Sequence, residues 1–277
     1  MKTIRFVVLF ACLILPRYTV PNNFQSGIII SKPEEFQSAF GSVPCKKGER
    51  ISAVKELFLK MGASEADITI EKNNDIQNIV IRKPGEIDEK IIVGAHYDFI
   101  GEGSCGAVDN WTGIVTIAHI YKTLKDAKLK KTILFVGFDQ EEKMLAGSKA
   151  FTKQIKKEEI NQYCAMVNVD SLGLNTPQVL KNVSSPKLES ACKEIAQKMK
   201  IDFQAYEMAT ALADSDSFLA RKIPAVTIAA ITNDWMEILH HKADQANKIN
   251  SMSVYLGYRL ALALVAQIND QECGNYR

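Results

Sequence analysis

The stretch Lys90-Ile91-Ile92-Val93-Gly94-Ala95-His96-Tyr97-Asp98 sets an almost unbroken apolar run against an abrupt change to metal-ligand and acid–base side chains. Apolar residues without a polar alternation read as a strand buried on both faces, the mark of a parallel sheet. His96 and Asp98 then stand at its carboxyl end, the edge where open parallel sheets bind ligands.

The same grammar repeats on either side of this stretch. Residues 132–138 form a strand-like run followed by Glu141 and Glu142, and residues 165–169 form another followed by Asp170. A third, residues 225–230 after Pro224, leads into a loop that carries His240. Between the runs lie amphipathic stretches that predict helices over 49–61, 111–124, 147–155, 187–199 and 252–268. Two β-rich segments, 67–71 and 78–82, predict an antiparallel hairpin at the start. Strand and helix alternate without a Pro-, Gly- or Ser-rich linker, so the fold class is α/β and residues 21–277 read as one domain.

Composition narrows the function classes. The 277 residues are 47% hydrophobic, enough for a sizeable core, and their 34 basic and 32 acidic side chains are interspersed. No basic stripe for a nucleic-acid partner emerges. Residues 1–20 open with Lys2 and Arg5 and continue in an apolar run from Phe6 to Leu15, the pattern of a signal peptide. A run of about ten residues is well short of the roughly 20 that span a bilayer, so export is the expectation and a spanning segment is not. Pro16, Arg17 and Tyr18 provide no small-residue cleavage site, and a lipid anchor on Cys12 is the lesser alternative. Beyond this segment stand Cys45, Cys105, Cys164, Cys192 and Cys273, an odd set in which at least one thiol is unpaired. Their spacing matches no zinc ribbon and selects no pairing.

The chemistry lies in convergence. His96, Asp98, Glu141, Glu142, Asp170 and His240 are all placed at one sheet edge, where carboxylates crowded together repel unless a cation neutralises them. A salt-linked loop cluster is the plain alternative. Nitrogen and oxygen ligands without thiolate suit zinc, with manganese or cobalt as substitutes, and an excess of carboxylate suits two ions bridged by one of them.

Five ordered segments carry a family resemblance: Gly94-Ala95-His96-Tyr97-Asp98, residues 106–113 (Gly-Ala-Val-Asp-Asn-Trp-Thr-Gly), residues 141–148 (Glu-Glu-Lys-Met-Leu-Ala-Gly-Ser), Asn168-Val169-Asp170 and His240-His241-Lys242-Ala243-Asp244. In this order they resemble the co-catalytic zinc exopeptidases, which include bacterial leucyl aminopeptidases, glutamate carboxypeptidase and the glutaminyl cyclases. The resemblance implies a three-layer sandwich with a mixed, mostly parallel central sheet flanked by helices. It also implies two Zn2+ ions bridged by Asp109, with His96 and Asp170 on one and Glu142 and His240 on the other. Glu141 would be the general base, and Asp98 would orient the His96 ring. His240 is preferred to His241 because Asp244 then falls four residues later, as in the family. Asp109-Asn110 replaces the family's frequent Asp-Asp. Asp214 is similar in placement to an acidic residue that precedes the family's late apolar strand.

The implied activity is an aminopeptidase acting on a peptide or aminoacyl substrate with a free N-terminus. Three alternatives stand beside it: a one-zinc glutaminyl cyclase, a dipeptidase or carboxypeptidase, and a non-catalytic binding homologue. The cyclases generally carry Trp just before the ligand His, where this chain has Leu239. Oligomeric state is not legible.

Overall fold

The computed structural model describes residues 28–208 and 211–277, so the expected signal segment and Cys12 lie outside the described residues. Helices α1 (Pro33–Ala39) and α2 (Arg50–Lys60) precede a hairpin of β1 (Ile68–Asn73) and β2 (Ile76–Lys83). The chain continues through β3 (Ile87–His96), α3 (Thr112–Leu124), β4 (Lys131–Phe138), α4 (Ala146–Gln154) and β5 (Tyr163–Val169). It then forms β6 (Gln178–Leu180), α5 (Pro186–Met199), β7 (Gln204–Tyr206), α6 (Asp214–Leu219), β8 (Ala225–Ala229) and α7 (Ser251–Asp270).

All eight strands join one sheet in the order β1-β2-β4-β3-β5-β8-β6-β7. Its centre, β4-β3-β5-β8, is parallel, while β1/β2, β2/β4 and β6/β8 pair antiparallel. Alternate residues of β3 feed two separate cores. Ile91, Val93 and Ala95 pack toward the layer of α1, α2, α3, α5 and α7. Ile92 joins Val80, Val136 and Phe138 against Phe151 of α4 and Phe218 of α6. Helices therefore cover both faces, which is the reason the central strands lack polar alternation.

Helix α7 shows how the larger layer is held. Val254, Tyr258, Ala261, Val265 and Ile268 recur at helical spacing and are buried. Asn250 caps its start by accepting hydrogen bonds from the backbone N–H groups of Met252 and Ser253, a contribution of about 1 kcal/mol. By length and hydropathy α7 would pass for a membrane span, but it is a core helix packed on α3 and α5.

The predicted hairpin, the alternating strands and the long helices are present with small shifts at their ends. Helices α1 and α6 and strands β6 and β7 were not anticipated from the sequence. Segments of three to seven residues are too short to establish a period. Cys45 pairs with Cys105 and Cys164 with Cys273, and among the described residues Cys192 is free and buried.

Candidate metal centre

Register across the parallel strands sets the site. β3 pairs His96 with Phe138 at the end of β4, and β5 ends one residue before Asp170. His96, the Glu141-Glu142 loop and Asp170 therefore emerge at neighbouring positions on one edge. Asp109 arrives on the segment entering α3, and His240 on the loop that follows β8.

Asp109 divides its carboxylate between two clusters. Its Oδ1 lies 3.1 Å from His96 Nε2, which is also 3.6 Å from Asp170 Oδ1. Its Oδ2 lies 3.0 Å from His240 Nε2, which is 3.1 Å from Glu142 Oε2. His96, Glu141 and Asp170 offer ligand atoms within 4.8 Å of one another, as do Asp109, Glu142 and His240. His241 is exposed and belongs to neither group.

Asp98 stands beside the His96 ring as expected and contacts it through both its backbone and its carboxylate. The nearest acceptor to His96 Nδ1 is the Asp98 backbone carbonyl at 3.2 Å, with Oδ1 at 3.4 Å. The carboxylate also accepts the backbone N–H groups of Glu141 and Glu142 at 3.0 and 3.3 Å. One residue thus steadies the ring on β3 and the glutamate loop on β4.

Two further supports escaped the sequence reading. Asp244 accepts the N–H groups of Val108 and Asp109 at 2.6 and 3.2 Å, so the residue used as a spacing marker fixes the Asp109 backbone. Asn110 donates from Nδ2 to the Val169 carbonyl at 2.9 Å, and its Oδ1 accepts from Gly113 and Ser171. An ionised Asp has no proton to give Val169, which accounts for the amide here. Gly101, at φ +96°, makes room for the His240 backbone, because a Cβ there would fall 2.2 Å from the His240 carbonyl oxygen.

The electrostatics call for cations. Burial would lift Asp109, but hydrogen bonds from His240 and His96 outweigh it and hold the carboxyl well below its usual range. His240 is pushed up to about 10 by its hydrogen bonds to Asp109 and Glu142. Burial pushes Glu141 well up against the attraction of His96, with Asp214, Asp170 and Asp109 adding to the rise. Burial also raises Glu142, Asp109 reinforcing it, and its Oε1 is buried without a hydrogen-bond partner. Asp214, fully buried at the start of α6, is pushed up to about 7, chiefly by burial. Carboxylates outnumber the two imidazoles, and no Lys or Arg is among the described residues that line the cavity. Divalent ions between the two His–carboxylate clusters would answer this imbalance, and the nitrogen–oxygen donor set fits zinc.

The cavity measures about 250 Å³. The ligand-type residues form one side, and Leu180, Met208, Leu212, Ile231, Trp235 and Leu239 supply an apolar wall.

A family model described as Peptidase family M28 matches residues 78–265. The chain belongs to peptidase family M28. Aminopeptidase YwaD of Bacillus subtilis (strain 168) is 32% identical over 129 residues, covering 46% of this chain and 27% of that protein. The chain thus matches well under half the length of that relative. The Legionella pneumophila LapA aminopeptidase structure superposes with a TM-score of 0.70 at 18% identity, covering 89% of this chain and 78% of that one. A glutaminyl cyclase from an Acidobacteriales bacterium gives 0.74 at 17% identity, covering 92% and 98%. These two likenesses show the fold, a three-layer α/β sandwich.

Proposed function

We propose that this M28 chain is a two-zinc aminopeptidase that removes an uncharged residue from the free N-terminus of a peptide. The observation that carries the reading is the division of Asp109 between two complete His–carboxylate clusters. His96, Asp109 and Asp170 would hold one ion, and Asp109, Glu142 and His240 the other. When bound, the ions would supply Lewis acidity toward a carbonyl and make a nearby water more acidic.

The chain's own groups do the rest. Glu141 takes a proton from the attacking water at its carboxylate and returns it to the leaving amine. Asp98 holds Glu141 in place through the backbone. Carboxylates on one side of the cavity attract a substrate α-ammonium, while the described residues of the lining include no Lys or Arg to pair with an α-carboxylate. This favours an amino-terminal over a carboxy-terminal or dipeptide substrate. The apolar wall receives the first side chain.

A cyclase reading draws on the full-length likeness to the glutaminyl cyclase and on Trp235 in the cavity wall. A one-zinc enzyme leaves the second cluster without a use. Parallel assays on aminoacyl amides, N-blocked analogues and glutaminyl peptides separate the readings. Free amino acid released only from unblocked, uncharged substrates is the expected result. Pyroglutamate formation would establish the cyclase, and equal cleavage of blocked substrates would remove aminopeptidase specificity.

Export belongs to the same proposal. The basic and apolar N-terminal segment supports it, as do two disulfides, which persist in oxidising compartments.

A further inference from the structure

Arg50 stands outside the span that matches the family model, yet its side chain ends beside the segment that delivers Asp109. It is fully buried at the first position of α2. A cation there opposes the helix dipole, so its place is not explained by helix stability. Nη2 donates to the carbonyls of Cys105 and Gly106, the latter at 2.9 Å. The guanidinium lies 4.6 Å from the Phe99 ring centre and 5.1 Å from that of Trp111. Phe99 follows Asp98, and Trp111 follows Asn110, so both platforms are neighbours of site residues. Nε and Nη1 have no hydrogen-bond partner among the described residues.

Burying a guanidinium with two unpaired nitrogens is costly unless charges nearby compensate. Asp244, Asp98 and Asp109 are those charges, and although burial lowers Arg50 to about 10, it stays cationic at neutral pH. Gly106 shows that the approach is built in. At φ +52°, a Cβ on it would lie 2.4 Å from Phe99 Cβ and 2.9 Å from Arg50 Nη2. The Cys45–Cys105 disulfide ties the same loop to the segment just before α2.

We propose that Arg50 is a positioning residue of the metal centre, clamping the Cys105-Gly106 turn so that Asp109 presents one carboxylate oxygen to each cluster. The inference rests on the two-zinc reading above. It makes a prediction of opposite sign to simple electrostatics. Arg50 itself repels a divalent ion, so removing its charge alone would tighten zinc binding, whereas loss of the clamp weakens it.

The test measures zinc dissociation constants by chelator competition, with thermal melts, for the wild-type chain, Arg50→Lys, Arg50→Met and Phe58→Leu. Phe58 is buried on the same helix and packs on Tyr121 and Phe135 rather than on Phe99 or Trp111. Arg50→Lys keeps the charge but not the planar fork, and zinc affinity is expected to fall about 10- to 100-fold, the range typical of groups that orient ligands. Arg50→Met is expected to fall likewise, and Phe58→Leu to melt earlier with zinc affinity unchanged. If Arg50→Met does not fold, Arg50→Lys decides. Wild-type affinity in Arg50→Lys, tighter binding in Arg50→Met, or an equal loss in Phe58→Leu would overturn the clamp. Absence of zinc binding by the wild-type chain would instead overturn the two-zinc reading.

Discussion

Glu141→Gln is expected to lower turnover by about 10²- to 10⁴-fold, the usual loss for a general base, while zinc content stays at the wild-type level. The amide keeps the size of the side chain but has no site to accept the water's proton. Glu142→Gln should fail in the other way. Its Oε2 faces His240 Nε2 and its Oε1 is buried without a partner, so a neutral amide weakens the ion held with Asp109 and His240. Zinc occupancy then falls first, and activity with it. Elemental analysis beside steady-state kinetics on the two purified variants makes the comparison. If Glu141→Gln lost metal while Glu142→Gln kept it, the two roles would have to be exchanged.

Asp109→Asn carries the largest expected effect on metal content, because one carboxylate serves both clusters. An amide can present an oxygen to only one of them and turns an NH2 group toward the other. Zinc should drop from two ions to one or fewer, and kcat/KM should fall by at least about 10²-fold, the upper end of losses seen for residues that merely orient ligands. Circular dichroism checks that the fold survives. Retention of both ions at wild-type affinity would show that Asp109 does not bridge.

The central strands and the convergence at their ends were legible because both have strong causes. A strand covered by helices on both faces must be apolar throughout, so the change at His96, Glu141 and Asp170 marks where it leaves the core. The clustering of those side chains was then a consequence of parallel order rather than of any one motif. Assigning Asp109 as the shared residue took the family resemblance, since its position before α3 follows from no strand end.

What stayed hidden was local or backbone-mediated. Strands β6 and β7 have three residues each, and α6 has six, too few for periodicity to speak. Asp244 works by receiving two backbone N–H groups 135 or more positions away, and Asn110 works by giving one bond and taking two. Spacing carries no trace of such contacts. Asp98 Oδ1 stands 3.4 Å from His96 Nδ1, in keeping with its expected place beside the ring, but its hydrogen bonds to the Glu141 and Glu142 amides leave no mark in the sequence. Arg50 and Cys45 lie in a region with no recognisable motif, and only the folded chain places them at the Asp109 turn.

The most direct test of the two-zinc account is the zinc content of the wild-type chain, purified, loaded with zinc and dialysed against metal-free buffer. Two His–carboxylate clusters sharing Asp109 predict two zinc ions per chain by elemental analysis. No retained zinc, or a single ion that excess zinc cannot supplement, would contradict it.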